Sequence, residues 1–150
     1  MDWLGQLRGK VIGLDTAPLI YFMERHPKYY QSTAHFFRAL NQGNFRAITS
    51  TITLTEVLVH PLRLGNTKLA QQYRTILTNS PELSIFSISI EVAEIAANLR
   101  AKHNLRTPDA IQIATAIQQK SSFFLTNDVN LSILSQHVDL DVLILDEIIG

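Results

Sequence analysis

Four acidic residues that lie far apart in the chain are the strongest candidates for chemistry: Asp15, Glu56, Asp109 and Asp128. Each falls where a strand is predicted to end or a helix to begin. In an open parallel α/β sheet such positions meet at the edge formed by the carboxyl ends of the strands, where these folds bind ligands. Four carboxylates at one point need a cation to stay ionised together. The pattern therefore indicates a hard divalent metal ion, which suggests hydrolysis of a phosphodiester.

Each acid also has a purely structural explanation when it is considered alone. Asp15 can cap the helix that follows it, and Glu56 can be a solvated helix residue. Asp109 lies where the helix dipole favours an acid, and Asp128 can form a turn with its own backbone. The functional interpretation depends on the set, because independent structural needs would not place all four on the same edge.

The elements that must position these acids alternate regularly along the chain. Strands are predicted at 11–14, 45–49, 84–88, 123–126 and 142–145. Helices are predicted at about 18–22, 29–41, 67–77, 90–102 and 131–134, with two more that begin near Ser50 or Thr51 and at Thr107. His60-Pro61 is expected to end or kink the former helix, and the Thr107 hydroxyl to cap the latter. Uniformly apolar strands favour a parallel sheet covered on both faces.

Composition limits the class of protein. A chain of 150 residues with 46% hydrophobic and 17% charged side chains is typical of one globular domain, here 1–150. Thirteen basic and thirteen acidic side chains cancel, which excludes a strongly basic coating protein. The sequence has no cysteine, so disulfides and thiolate metal sites are excluded. Residues 1–10 lack a signal-peptide core and no apolar run approaches a membrane span, so a cytoplasmic location is expected.

The segments around the four acids resemble, in order, those of the PIN domain, especially the VapC-type toxin ribonucleases. The resemblance covers essentially the whole chain, and the ordered set carries it rather than any one motif: 13–21, 53–57, 106–116 and 124–128. It implies a three-layer α/β/α fold with a five-stranded parallel sheet. It also implies an endoribonuclease that depends on Mg²⁺ or Mn²⁺, frequent homodimers, and a small antitoxin protein as a possible partner.

The resemblance also implies roles for individual residues. It assigns metal binding and catalysis to Asp15, Glu56, Asp109 and Asp128. It assigns supporting polar roles to Thr16, Thr126 and Asn127. Ala17 departs from the family, because many relatives carry an asparagine there.

Basic residues near the predicted acidic edge are candidates for binding substrate phosphates. The set comprises Arg106, Arg25, Lys28, His26, Arg63 and Lys68. Arg106 ranks first because it lies three residues before Asp109. The five histidines share no spacing typical of a zinc site.

Three alternatives to an RNA-cleaving enzyme stay open. A receiver domain would need a second acid beside Asp15 and a lysine where Asp146 stands, and a phosphatase with an aspartyl nucleophile would need an acid at Ala17. A catalytically weak PIN domain that binds RNA or a protein partner keeps all four acids and is not excluded by the sequence.

Overall fold

A computed structural model describes residues 3–149 and contains a five-stranded sheet in which every neighbouring pair is parallel. The strands are β1 (Val11–Leu14), β2 (Arg46–Ser50), β3 (Leu83–Phe86), β4 (Phe123–Thr126) and β5 (Asp141–Ile144). Their order across the sheet is β3-β2-β1-β4-β5. The chain thus adds β2 and β3 on one side of β1 and then adds β4 and β5 on the other side of β1. The gap between β1 and β4 is the switch point, where open α/β sheets bind ligands.

Helices cover both faces of this sheet. They are α1 (Thr16–Met23), α2 (Tyr30–Asn41), α3 (Thr51–Arg63), α4 (Thr67–Asn79), α5 (Ile90–Lys102), α6 (Thr107–Gln118) and α7 (Leu145–Ile149), with 3-10 segments at Gly5–Leu7 and Val129–Gln136. One apolar core lies beneath α1 to α4 and α7, and a second lies beneath α5, α6 and the second 3-10 segment. The predicted α/β fold with a five-stranded parallel sheet is confirmed.

Gly13 brings helix α6 unusually close to the central strand. A Cβ atom at this position would lie 2.7 Å from Ala116 Cβ and 2.8 Å from Phe124 Cδ1. No side chain larger than hydrogen fits between β1 and α6 without displacing one of them. Because Asp15 follows β1 and Asp109 lies in the first turn of α6, this close packing sets the distance between the two acids.

The predicted cap of α6 is wrong, and of the two outcomes predicted for His60-Pro61, an end of α3 there is also wrong, while a kink stays a prediction. Helix α3 does not end at His60-Pro61 but continues to Arg63, because the His60 and Pro61 carbonyls still accept bonds from the N–H groups of Leu64 and Asn66. The Thr107 hydroxyl does not cap α6. The N-cap residue is Arg106, which makes no side-chain cap bond, and the Thr107 hydroxyl instead accepts a bond from Arg100.

Candidate functional site

The four predicted acids line one cleft of about 490 Å³ at the carboxyl edge of the sheet. The cleft also contains the three predicted supporting residues and one of the predicted basic residues: Thr16, Thr126, Asn127 and Arg106. Ala17, Ile20 and Tyr21 complete its lining. The acids come from four separate elements, and the switch point of the sheet brings them together.

Asp15 is held at the junction of β1 and α1 by two hydrogen bonds. Its Oδ1 accepts a bond of 2.8 Å from the Thr16 backbone N–H, which makes it the N-cap of α1, and its Oδ2 accepts a bond of 2.7 Å from the Thr126 hydroxyl. Burial raises the pKa of Asp15 to about 6 despite these bonds, and the charges of Asp109 and Glu56 add to the rise. Asp15 is therefore both a helix cap and a carboxylate whose ionised form is destabilised mainly by burial and further by the neighbouring acids.

Glu56 is linked to the cleft by the Thr16 hydroxyl. It lies on the exposed side of α3, and its Oε1 accepts a hydrogen bond from Thr16 Oγ1. The Thr16 backbone N–H donates a hydrogen bond to Asp15, and the Thr16 hydroxyl donates one to Glu56. One threonine thus fixes two of the four carboxylates relative to each other.

Behind Thr16 lies a buried polar cluster that the sequence analysis did not identify. Gln112 Nε2 donates a bond of 2.6 Å to Thr53 Oγ1, and its Oε1 accepts a bond of 2.8 Å from the Ser50 hydroxyl. Thr53 also lies 2.8 Å from Thr49 Oγ1 and 3.2 Å from Thr16 Oγ1. The cluster joins α1, α3 and α6 beneath the acids. A polar residue on an otherwise apolar helix face, such as Gln112 three positions after Asp109, is the signal that points to it.

Asp109 is paired with a cation of the same chain. Arg106 Nε donates a bond of 3.1 Å to Asp109 Oδ2, and Nη2 donates a longer bond of 3.4 Å to Oδ1. The Asp109 side chain is 12% exposed, whereas that of Arg106 is 76% exposed. The hydrogen bond and charge of Asp109 raise the pKa of Arg106, and the more distant charges of Asp128 and Glu56 also raise it. Arg106 therefore supplies counter-charge to the acidic cleft.

Asp128 and Asn127 follow β4 on the opposite side of the cleft. Asp128 Oδ1 accepts a bond of 3.0 Å from the Asn130 N–H, as expected of an acid in a turn, and its own N–H donates to the Thr126 hydroxyl. Asn127 donates to the Tyr21 hydroxyl and accepts from the backbone N–H of Asp146. Asn127 thus ties the cleft to α1 and to the start of α7.

Most of the other predicted basic residues lie outside the acidic cleft. Arg25 and Lys68 line a separate groove between α1 and α4. Lys28 forms an ion pair of 2.8 Å with Asp146, and His26 packs against the Tyr21 and Tyr29 rings. Their contact with substrate stays a prediction, and Arg106 alone of the three leading candidates lines the cleft.

The cleft suits a hard divalent cation by ligand type. Each Asp15 oxygen accepts one hydrogen bond, so each keeps a lone pair for a further partner. Four carboxylates and three hydroxyl groups line the cleft and offer oxygen ligands, which Mg²⁺ and Mn²⁺ prefer. Among residues 3–149, no three His, Asp or Glu side chains already surround a single metal position. Direct binding of an ion by one or two of these acids, with water as its other ligands, is the arrangement that Mg²⁺ usually adopts in proteins.

Comparison with known families decides the classification. The family model of the PIN domain matches residues 12–135. The chain belongs to the PIN family. No curated protein matches it. The resemblance predicted from the four segments is confirmed, although the matched residues do not by themselves identify a substrate.

Solved structures share the fold of this PIN domain at low sequence identity. VapBC2 from Rickettsia felis, solved on a promoter DNA fragment, has a TM-score of 0.68 at 18% identity and covers 89% of this chain and 97% of its own. VapC20 from Mycobacterium tuberculosis, described as a toxin that cleaves the sarcin-ricin loop, has a TM-score of 0.67 at 15% identity. Its alignment covers 87% of this chain and 98% of VapC20. FitAcB from Neisseria gonorrhoeae has a TM-score of 0.62 at 22% identity, and the alignment covers 87% of this chain and 96% of the FitAcB chain.

The raised pKa of Asp15 predicts how the stability of the PIN domain depends on pH. The pKa is about 6 in the folded chain and 3.8 for an ordinary Asp, so the unfolded chain loses this proton at lower pH. A rise from about pH 4 to pH 7 therefore destabilises the native protein relative to an Asp15→Asn variant, whose amide cannot ionise. Urea unfolding of both proteins in a chelating buffer should show their free energies of unfolding diverging in favour of the variant. Parallel pH profiles would show that Asp15 does not have this raised pKa.

Proposed function

We propose that this PIN domain is a metal-dependent endoribonuclease and the toxin of a type II toxin–antitoxin pair. The observation that carries the proposal is the meeting of Asp15, Glu56, Asp109 and Asp128 in one cleft at the switch point. The nuclease character of the PIN family and the toxins among its structural neighbours support it. The reaction is the in-line attack of water on an RNA phosphodiester, leaving a 5′-phosphate.

In this mechanism the four acids hold Mg²⁺ or Mn²⁺. The ion, when bound, polarises the phosphate and lowers the pKa of water. The Thr16 backbone N–H and the Thr126 hydroxyl hold the Asp15 carboxyl in place, and the Thr16 hydroxyl holds the carboxyl of Glu56. Arg106 lies at the rim with a largely exposed guanidinium group that can bind a substrate phosphate.

A protein partner is part of the proposal. A groove of about 800 Å³ between α1 and α4 is lined by the apolar side chains of Phe22, Met23 and Ile76, with Arg25 and Lys68 also present. Such a groove fits an amphipathic segment with acidic flanks, which an antitoxin can supply.

No helix within residues 3–149 combines the length and apolar character needed to cross a membrane.

Homodimer formation is also proposed. Val59, Leu62 and Leu64 at the end of α3 are 42%, 56% and 68% exposed, which is unusual for three neighbouring large apolar side chains. A second copy of the chain would remove them from water.

The second candidate function is a PIN domain that binds RNA or a protein without cutting. The ion pair between Arg106 and Asp109 favours it, because one of the four acids already has a cationic partner. Calorimetric titration with Mn²⁺ tests the second candidate. Absence of Mn²⁺ binding would favour it, because the proposed cleavage requires the ion and binding of RNA or a protein does not.

Cleavage assays with the purified chain test the leading proposal. We expect single-stranded RNA to be cut when Mg²⁺ or Mn²⁺ is present and left intact in a chelating buffer, with 5′-phosphate ends on the products. Addition of the small protein encoded in the neighbouring reading frame should inhibit cleavage at an equimolar ratio. Cleavage that continues undiminished in the chelator would contradict the metal-dependent mechanism, while failure of inhibition alone would contradict the toxin role.

A further inference from the structure

The ion pair between Arg106 and Asp109 places a cationic side chain of the protein itself within the acidic cleft. Residues 3–149 contain one other ion pair, between Lys28 and Asp146, and neither of those two residues lines the cleft. Both bonds of the Arg106 guanidinium go to the Asp109 carboxylate, so each Asp109 oxygen accepts one bond from it. The guanidinium therefore lies directly beside both Asp109 oxygens, where a metal ion bound to this acid would also lie.

The attraction between Arg106 and the cleft extends beyond this contact. The charges of Asp128 and Glu56 also stabilise the guanidinium, although neither is bonded to it. The guanidinium thus offsets the repulsion among the acids in the way a metal ion would. Joint binding of both cations to Asp109 is opposed by their charges, because a divalent ion on either Asp109 oxygen would lie next to the positively charged guanidinium.

The backbone around Arg106 is fixed while its side chain is free to leave. The Arg106 carbonyl accepts a bond of 3.0 Å from the Ala110 N–H at the start of α6. Arg100 braces the adjoining residues through bonds of 2.9 Å to the Leu105 carbonyl and the Thr107 hydroxyl. The Arg106 side chain is 76% exposed, so the guanidinium can move into solvent at little energetic cost.

We propose that Arg106 and the divalent cation alternate at Asp109, so that entry of the ion releases the guanidinium to bind the substrate phosphate. The inference rests on the proposed function and makes Arg106 a substrate-binding residue whose release depends on metal binding. In the absence of the ion, Arg106 neutralises part of the negative charge of the acids through its ion pair with Asp109. Once the ion is bound, the same side chain lies beside the cleft, where a phosphate must approach.

Metal binding without RNA provides the first test. Calorimetric titration of the full chain with Mn²⁺ should give a dissociation constant about two- to fivefold lower for Arg106→Gln than for the native protein, which is the range expected when an exposed competing ion pair is removed. Arg106→Lys retains the charge and should stay close to the native value. Arg38→Gln, which removes an exposed arginine from α2, is the matched control and should have no effect.

RNA binding provides the second test. With a non-cleavable RNA oligonucleotide that keeps its nonbridging phosphate oxygens, the affinity of the native chain should be higher in Mg²⁺ than in chelating buffer, and this difference should be smaller for Arg106→Gln. Equal Mn²⁺ affinity in the native and Arg106→Gln proteins would overturn the inference while leaving the proposed nuclease function intact. Absence of Mn²⁺ binding in both proteins would overturn the inference and the proposed function together.

Discussion

We expect Asp109→Asn to reduce the rate of RNA cleavage by at least about 100-fold, because even residues that only support metal ligands typically contribute 10- to 100-fold. Asparagine keeps the size of the side chain and one oxygen but removes the negative charge. The Asp109 side chain is only 12% exposed and lines the cleft with three other acids, so the substitution removes a negative charge from the cleft itself. Cleavage of a labelled RNA in Mg²⁺, followed over time, measures the effect.

The fold of this variant should persist. Asn at the first turn of α6 gives up the ion pair with the exposed Arg106 and a helix-dipole interaction of roughly 0.3–1 kcal/mol, but it keeps the size of the side chain. Glu94→Gln removes an exposed acid from α5 and is the matched control, which should cleave RNA at the native rate. Native-like cleavage by a properly folded Asp109→Asn protein would mean that this acid takes no part in the reaction.

The second large effect concerns stability and comes from Gly13. We expect Gly13→Val to lower the free energy of unfolding by about 1–3 kcal/mol or more, the usual cost of overpacking a filled core. Its Cβ alone would lie 2.7 Å from Ala116 Cβ, and the added methyl groups have no free volume to enter. Urea unfolding followed by circular dichroism measures the loss.

The same substitution should also reduce activity. Relief of the overlap requires α6 to move away from β1, which separates Asp109 from Asp15. Ala93→Val adds the same side chain at an exposed position of α5 and should change stability by no more than the small difference in helix propensity. A Gly13→Val protein as stable as the native chain would show that the contact between β1 and α6 can relax without cost.

The sequence was sufficient to predict the strands and the edge at which the acids meet. Strands of a covered parallel sheet are short apolar runs, and the connections between them place all their carboxyl ends together. Asp15 and Asp128 directly follow β1 and β4, so their convergence followed from topology alone.

Side-chain partners were harder to predict, because they depend on packing between distant elements. Gln112 appeared as one polar residue within an apolar helix, and only the packing of α6 against α3 reveals its bond to Thr53. Arg106 was predicted to bind substrate, whereas its contact in the structure is with Asp109. Arg25 was placed near the acids by proximity in sequence, but α1 carries it to a different groove.

The properties of the Asp15 carboxylate predict how this position changes during the evolution of the family. It caps α1 and yet, at neutral pH, its ionised form costs the protein stability, since burial raises its pKa to about 6. Asparagine or serine would serve as an equally good cap without that penalty. Selection for durability alone would therefore replace the acid, and we expect PIN-fold proteins that have abandoned hydrolysis to carry a neutral residue at this junction and to withstand higher temperatures.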